Sequence, residues 1–343
     1  MIKTLALALA LASPVPQQEL TAVMNDLVEA KAMTSTLMLV REDGRDWTAS
    51  AGVRDLVSRK PADASGYFRI GSVTKTFVAT VVLQLADEGK LALDDPIDKH
   101  LPGTLGRPVT VRQVLDHTSG VFDYAGAGIP GWSVRDYRPV ETLYDQTPQE
   151  LLAVGLSKPP YTAWHYSNTN YVIAAMLVEK LTGRPYGEAV KERVLRPLRM
   201  THTLFPGHNT GMPRPHAHGY AAYQGRMVDA TRMNPSLEFG AGEMISTTAD
   251  LATFFDALLG GKLTSQAALK EMRQTGKQGY GLGLQEFKTP CGTSVYGHSG
   301  GTFGYVTYAV RSDDGRTLVM SGTPYSGKPA YDPLAKVFKA TFC

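Results

Sequence analysis

Three short stretches of this 343-residue chain carry side chains whose types and spacing suit acyl transfer. In the first, Gly71-Ser72-Val73-Thr74-Lys75 leads into a run where Phe77, Val78, Val81, Val82 and Leu85 cover too broad an arc for a surface helix. Ser72 and Lys75 then share one face of a buried helix, which brings an amine near a hydroxyl. That pairing offers a nucleophile and its base. The Ser72 N–H, in the first turn, is also an orphan donor suited to an oxyanion. Alone the spacing is weak, since Ser-x-x-Lys arises about once by chance in a chain this long, and such a serine can simply be an N-cap. The second stretch, Tyr166-Ser167-Asn168, precedes a helical run and supplies a phenol and an amide. The third, His298-Ser299-Gly300-Gly301, follows a strand-like segment at 293–297, and its glycines permit close approach of substrate or backbone.

The elements that must position these groups are readable from periodicity. Leu20, Val23, Met24, Leu27 and Val28 give an amphipathic helix over 18–30. Strands at 36–41 and 47–53 flank Asp43-Gly44, and strands at 305–311 and 317–322 flank Asp314-Gly315, each pattern predicting a hairpin. A last helix starts at Asp332-Pro333, with Leu334, Val337, Phe338 and Phe342 on one face. Between the ends, helices are expected at 74–89, 110–117, 147–155, 169–182 and 248–259. The architecture is therefore α/β of the α+β kind: an antiparallel sheet from N- and C-terminal strands (13–70 and 280–343), flanked by helices, with a mostly helical subdomain inserted at 71–279. Together they form one catalytic unit with a cleft at the junction.

Composition narrows the function. With 43% apolar residues the chain can bury a large core, and a formal charge of +3 from 35 basic and 32 acidic residues argues against nucleic acid. Residues 1–12 have a basic start, a Leu/Ala run and a small-residue site, the outline of a secretory signal. The run is far below the roughly 20 residues of a membrane span, and a secreted, extracellular protein is expected. The two cysteines, Cys291 and Cys343, make a disulfide the economical reading, with two reduced thiols as the alternative.

In chain order, the serine-lysine, Tyr-Ser-Asn and His-Ser-Gly elements resemble those of the serine DD-peptidase and class C beta-lactamase group, most nearly its secreted actinomycete D-alanyl-D-alanine carboxypeptidases. The resemblance runs through 71–77 (GSVTKTF), 83–91 (LQLADEGKL), 109–120 (VTVRQVLDHTSG), 166–171 (YSNTNY), 177–183 (LVEKLTG), 280–284 (YGLGL) and 296–300 (YGHSG). It implies a beta-lactamase/transpeptidase-like fold, an acyl-enzyme mechanism without metal or organic cofactor, and a disulfide like Cys291–Cys343. By the same resemblance Ser72 attacks the carbonyl, Lys75 and Tyr166 share the proton work, and Asn168 holds the substrate amide. His298 adds polarity from the strand side, and the N–H groups of Ser72 and Gly301 cradle the oxyanion beside Ser299 and Gly300. A neutral Lys75 requires its pKa to fall by about three units from 10.4, or 4 to 5 kcal/mol. A Tyr166 phenolate beside protonated Lys75 is the alternative.

One departure matters. Carboxypeptidases of this kind are expected to carry an arginine after the Tyr-Gly-Leu-Gly-Leu stretch, and here Gln285-Glu286-Phe287 follows it. Lys288 or a distant arginine is the candidate replacement. Phe122 and Tyr124 are candidates to wall the cleft, with aromatics packed within the loop as the alternative, and 237–242 is the candidate for its far side. His117 reads as a structural cap. His216 and His218 alternate as metal ligands do, but no metal is expected because nothing nearby completes a set. The expected function is a monomeric hydrolase of D-alanyl-D-alanine-type amide bonds in peptidoglycan-like peptides or small acyl substrates, with beta-lactams as covalent inhibitors. The alternatives are an esterase or D-amino-acid amidase on the same scaffold, and a non-catalytic penicillin-binding sensor.

Overall fold

The structure is a computed structural model that describes residues 15–127, 145–223, 226–325 and 332–343. The expected leader at 1–12 lies outside the described residues. The chain runs α1 (Gln17–Glu29), β1 (Met33–Glu42), β2 (Arg45–Gly52), β3 (Phe68–Arg69), α2 (Thr74–Asp87), α3 (Ile97–His100), α4 (Val111–Leu115), α5 (Pro148–Leu156), α6 (Asn168–Thr182) and α7 (Tyr186–Val190). It continues β4 (Tyr220–Tyr223), β5 (Arg226–Asp229), β6 (Ile245–Ser246), α8 (Thr248–Leu259), α9 (Gln266–Met272), β7 (Gln285–Lys288), β8 (Ser294–Thr302), β9 (Tyr305–Ser312), β10 (Thr317–Pro324) and α10 (Asp332–Phe342).

The main sheet has the antiparallel order β2-β1-β10-β9-β8-β7. Its central strands are buried on both faces, which is why β1 reads as the continuous apolar run Leu37-Met38-Leu39-Val40. Successive side chains alternate. Leu37 and Leu39 join Ala309 and Val319 in a core shared with α2, α6 and α8. Met38 and Val40 join Val310, Leu318 and Met320 beneath Leu20, Met24 and Leu27 of α1 and Val337 and Phe338 of α10. The first core positions the chemistry, because α2 passes through it with Phe77 stacked on Phe254 of α8 at 3.7 Å. Helix α8, within the stretch expected to be the helical subdomain, thus packs between sheet and α2.

Both expected hairpins form, and in the first Asp43 and Gly44 both take positive φ (50° and 73°), the conformation a two-residue turn demands. Helix α5 begins with a capping box between Thr147 and Glu150. Cys291 and Cys343 form the disulfide, with Cα atoms 5.9 Å apart. Two expectations need correction. The His298-Ser299-Gly300-Gly301 segment lies inside β8 rather than after it, because its residues keep pairing with β9 through Gly301↔Val306. Tyr124 is fully buried, its hydroxyl donating to the Leu237 carbonyl at 2.6 Å, so it is core and no wall.

Candidate active site

A 3-10 turn at Gly71–Val73 runs directly into α2, which puts the Ser72 hydroxyl one turn from Lys75. Strand β8 lies against that turn only because two residues lack side chains. A Cβ on Gly71, which has φ +51°, would lie 2.7 Å from the Gly301 nitrogen, and one on Gly300 would lie 1.9 Å from the Ile70 carbonyl oxygen. The backbones of Ser72 and Gly301 are thereby brought to the same end of the cleft.

Lys75 is wholly buried. Its Nζ lies 3.0 Å from Ser72 Oγ, 2.7 Å from Asn168 Oδ1 and 2.7 Å from the Ala241 carbonyl oxygen. Burial pushes its pKa down from 10.5 to about 7, while Asp123 and Glu238 pull the other way. A free amine has two protons and one lone pair. The carbonyl oxygens of Asn168 and Ala241 can only accept, so they take the two N–H bonds, and the lone pair is left for the Ser72 hydroxyl proton.

Burial raises the Tyr166 phenol above the ordinary value, while the Ser72 side chain it faces pulls the other way. The Tyr166 ring also sits 4.9 Å from Lys75 Nζ. Behind it, His117 packs 4.3 Å from Tyr166 and 4.6 Å from Tyr280, centroid to centroid. His117 Nδ1 accepts from the Ser167 N–H at 3.2 Å, so this buried imidazole caps the Tyr166–Asn168 loop. Its backbone takes φ +64°. The rings together exclude water from the amine, which is the physical source of its depressed pKa.

His298 is also wholly buried, and burial lowers it to about 3. Its Nδ1 donates to the Ser299 carbonyl at 2.5 Å, so Nε2 accepts the Tyr280 hydroxyl at 2.9 Å. With both nitrogens engaged, it makes no hydrogen bond to Ser72, Lys75 or Tyr166. The sequence reading groups His298 with the catalytic side chains; the structure makes it a neutral support for Tyr280 and β8. Phe122, partly exposed, stacks on Tyr161 at 5.1 Å.

Asp123 escaped the sequence reading. Its carboxylate accepts the Asn168 backbone N–H at 3.0 Å and the Asn168 side-chain amide at 3.3 Å, orienting the oxygen of that amide toward Lys75. Its only signal was its place between Phe122 and Tyr124. Tyr280 likewise stood in plain view at the head of the 280–284 stretch.

Between β7 and β8, Gln285 Oε1 accepts from the Ser299 N–H at 2.7 Å and its hydroxyl at 2.9 Å. Lys288 does not replace the missing arginine, because Glu286 and Ser294 each hold it at 2.6 Å. Among the described residues no cation is hydrogen-bonded to Gln285 or Ser299. His218 pairs with Asp229 at 2.6 Å and His216 with the Pro213 carbonyl at 2.7 Å. Among the described residues no helix is long and apolar enough to cross a membrane.

Comparison with known proteins agrees with the fold. A D-stereospecific amidohydrolase from Streptomyces sp. superposes with a TM-score of 0.84 at 36% identity, over 95% of this chain and 98% of that one. D-amino acid amidase from Ochrobactrum anthropi SV3, solved with L-phenylalanine, gives 0.83 at 26% identity over 94% and 98%. Penicillin-binding protein 4* of Bacillus subtilis (strain 168) is 28% identical over 290 residues, 79% of this chain and 63% of the relative. The chain spans about six tenths of the length of the first curated relatives it matches. The family model described as Beta-lactamase matches residues 20–338. With that match, the sheet-and-helix fold and the Ser72 cleft in hand, the chain belongs to the beta-lactamase family, within the serine DD-peptidase and beta-lactamase superfamily.

Proposed function

We propose that this protein is a serine hydrolase that opens amide bonds on the carbonyl side of a D-amino acid residue through an acyl-Ser72 intermediate. The observation that carries the reading is the Lys75 environment, in which Ser72 is, among the described residues, the only hydrogen-bonded partner with a proton to give. As Ser72 Oγ bonds to the substrate carbonyl carbon, its proton passes to Lys75 Nζ. The oxyanion faces the N–H groups of Ser72 and Gly301, where one such donor is worth about 3 to 4 kcal/mol. Collapse breaks the carbon–nitrogen bond as the Tyr166 phenol protonates the leaving amine, and the neighbouring Lys75 ammonium returns its proton to the phenolate. Water then attacks the ester, giving a proton to the same relay, and Ser72 Oγ regains its own. Tyr166 serves as a proton donor because burial disfavours its phenolate.

For the leaving group, the neutral pair Gln285–Ser299 favours an amide, a longer D-peptide or an ester over a terminal carboxylate, which finds no cation hydrogen-bonded to that pair among the described residues. The relatives' names, D-stereospecific amidohydrolase and D-amino acid amidase, support the same preference. D-alanyl-D-alanine carboxypeptidase activity on peptidoglycan-type peptides is the second reading, and penicillin is a covalent inhibitor under both. A secreted setting belongs to the proposal, since the disulfide and the leader-like 1–12 suit an oxidising compartment. Turnover of a D-alanyl amide, its L enantiomer, a D-Ala-D-Ala peptide and a short-chain ester, with penicillin labelling of wild type and Ser72→Ala, tests it. The D-amide is expected to lead, and the expectation fails if the free-carboxylate peptide is preferred or if Ser72→Ala retains turnover.

A further inference from the structure

Glu238 is a nearly buried carboxylate for which the steps above have no use. It ends the 3-10 turn Pro235–Glu238, and its Oε1 accepts the Thr302 hydroxyl at 2.5 Å. Thr302 directly follows Gly301 and closes β8. On its other side, the Glu238 backbone carbonyl accepts the N–H groups of Ala241 at 2.9 Å and Gly242 at 2.8 Å. Those bonds shape the turn whose Ala241 carbonyl holds Lys75. A Cβ on Gly242 would lie 2.9 Å from Glu238 Oε2, so the carboxylate presses on the same turn. One residue touches both the oxyanion strand and the loop that holds the lysine.

We propose that Glu238 is a positioning residue: it clamps Thr302, and through it the Gly301 donor, to the 238–242 turn, and its carboxylate acts on the lysine that this turn holds. The inference rests on the acyl-Ser72 reading. Lys75 faces the carboxylates of Asp123 and Glu238, which favour its ammonium form, and the uncharged rings of Tyr166, Tyr171, His117 and His298. Glu238 faces Arg69 and Lys75, which favour its ionised form, and Glu243, Tyr124 and Tyr166 also feel it. Burial pushes Glu238 up to about 7. Taking a negative charge away from an amine favours the free base, so neutralising position 238 moves Lys75 deprotonation to lower pH.

The test is the rate of Ser72 acetylation by para-nitrophenyl acetate, a probe with no group titrating in this range, between pH 5 and 9. Wild type, Glu238→Gln, Glu238→Ala and Thr302→Val are compared, with Ser72→Ala as blank and a thermal melt for each. Glu238→Gln keeps an oxygen for Thr302 and removes the charge, so its acid limb is expected to move down by about half a pH unit or more, roughly threefold in rate on that limb. Glu238→Ala loses the clamp as well, and its plateau falls about tenfold, most of which Glu238→Gln restores. If Glu238→Ala does not fold, Thr302→Val decides: it opens the clamp from the other side and, by removing a donor to the carboxylate, also moves the limb down. Superimposable limbs for Glu238→Gln and wild type, or a wild-type plateau in Glu238→Ala or folded Thr302→Val, overturn the proposal. No Ser72-dependent acetylation of the wild type would instead overturn the acyl-Ser72 reading.

Discussion

The surroundings of Lys75 and those of Gln285 are built on opposite principles. Around Lys75 a buried amine is held by Ser72, Asn168 and Ala241, two acidic side chains act on it, and the aromatic rings beside it keep water out. Around Gln285 two partly exposed neutral side chains satisfy each other without a charge. The first fixes which bond-making steps are available, because a buried charge is tolerable only in one arrangement. The second is a hydrogen-bonded pair that a single substitution can re-aim, and on the proposed reading it bears on which leaving group is welcome.

The difference can be broken at its strong end first. Ser72→Ala should remove acylation by at least about a thousandfold while the fold survives, read by intact-mass spectrometry after penicillin treatment. An adduct in that variant would place the nucleophile elsewhere. Tyr166→Phe should cost about 10² to 10⁴ in turnover of an amide; near-normal turnover would make the phenol a wall and no proton carrier. Asp123→Ala frees the Asn168 amide and should lower kcat/KM about tenfold, the worth of one charge-assisted hydrogen bond. At the weak end, Gln285→Arg should raise the ratio of free-carboxylate peptide to amide turnover by roughly five- to tenfold. An unchanged ratio would mean that the leaving group does not lie against Ser299. Smallest in activity is the paired change Cys291→Ser and Cys343→Ser, remote from both ends. The disulfide closes a 52-residue separation, so its loss should lower Tm by several degrees, consistent with about 4 kcal/mol of loop entropy as an upper bound, and leave substrate ratios as they were.

What the sequence disclosed and what it hid divide along the range of the contacts. The Asp43-Gly44 hairpin and the buried face of α2 are local patterns, and the Ser72–Lys75 pair needs only helical geometry, so all three were legible. Lys75 and Ala241 are 166 positions apart and meet through a backbone oxygen, which leaves no trace in residue type. Asp123 meets Asn168 across 45 positions, and acidic residues on loops are usually solvated, so nothing marked this one as inward. His298 misled for a related reason: its chemical type suggests catalysis, yet only coordinates reveal that Tyr280 and the Ser299 carbonyl occupy both nitrogens. The cation expected near Gln285 was a matter of family likeness, and the chain's own residues at that end take a different course.

Acylation by this arrangement needs a Lys75 that is uncharged for part of the time at neutral pH. Side-chain carbon NMR of lysine-labelled protein, titrated from pH 5 to 11 with Lys75→Arg to assign the signal, measures this directly. One lysine titrating near 7, in keeping with the depression to about 7, and missing from Lys75→Arg is the predicted result. A Lys75 signal titrating with the others near 10.5 would contradict it.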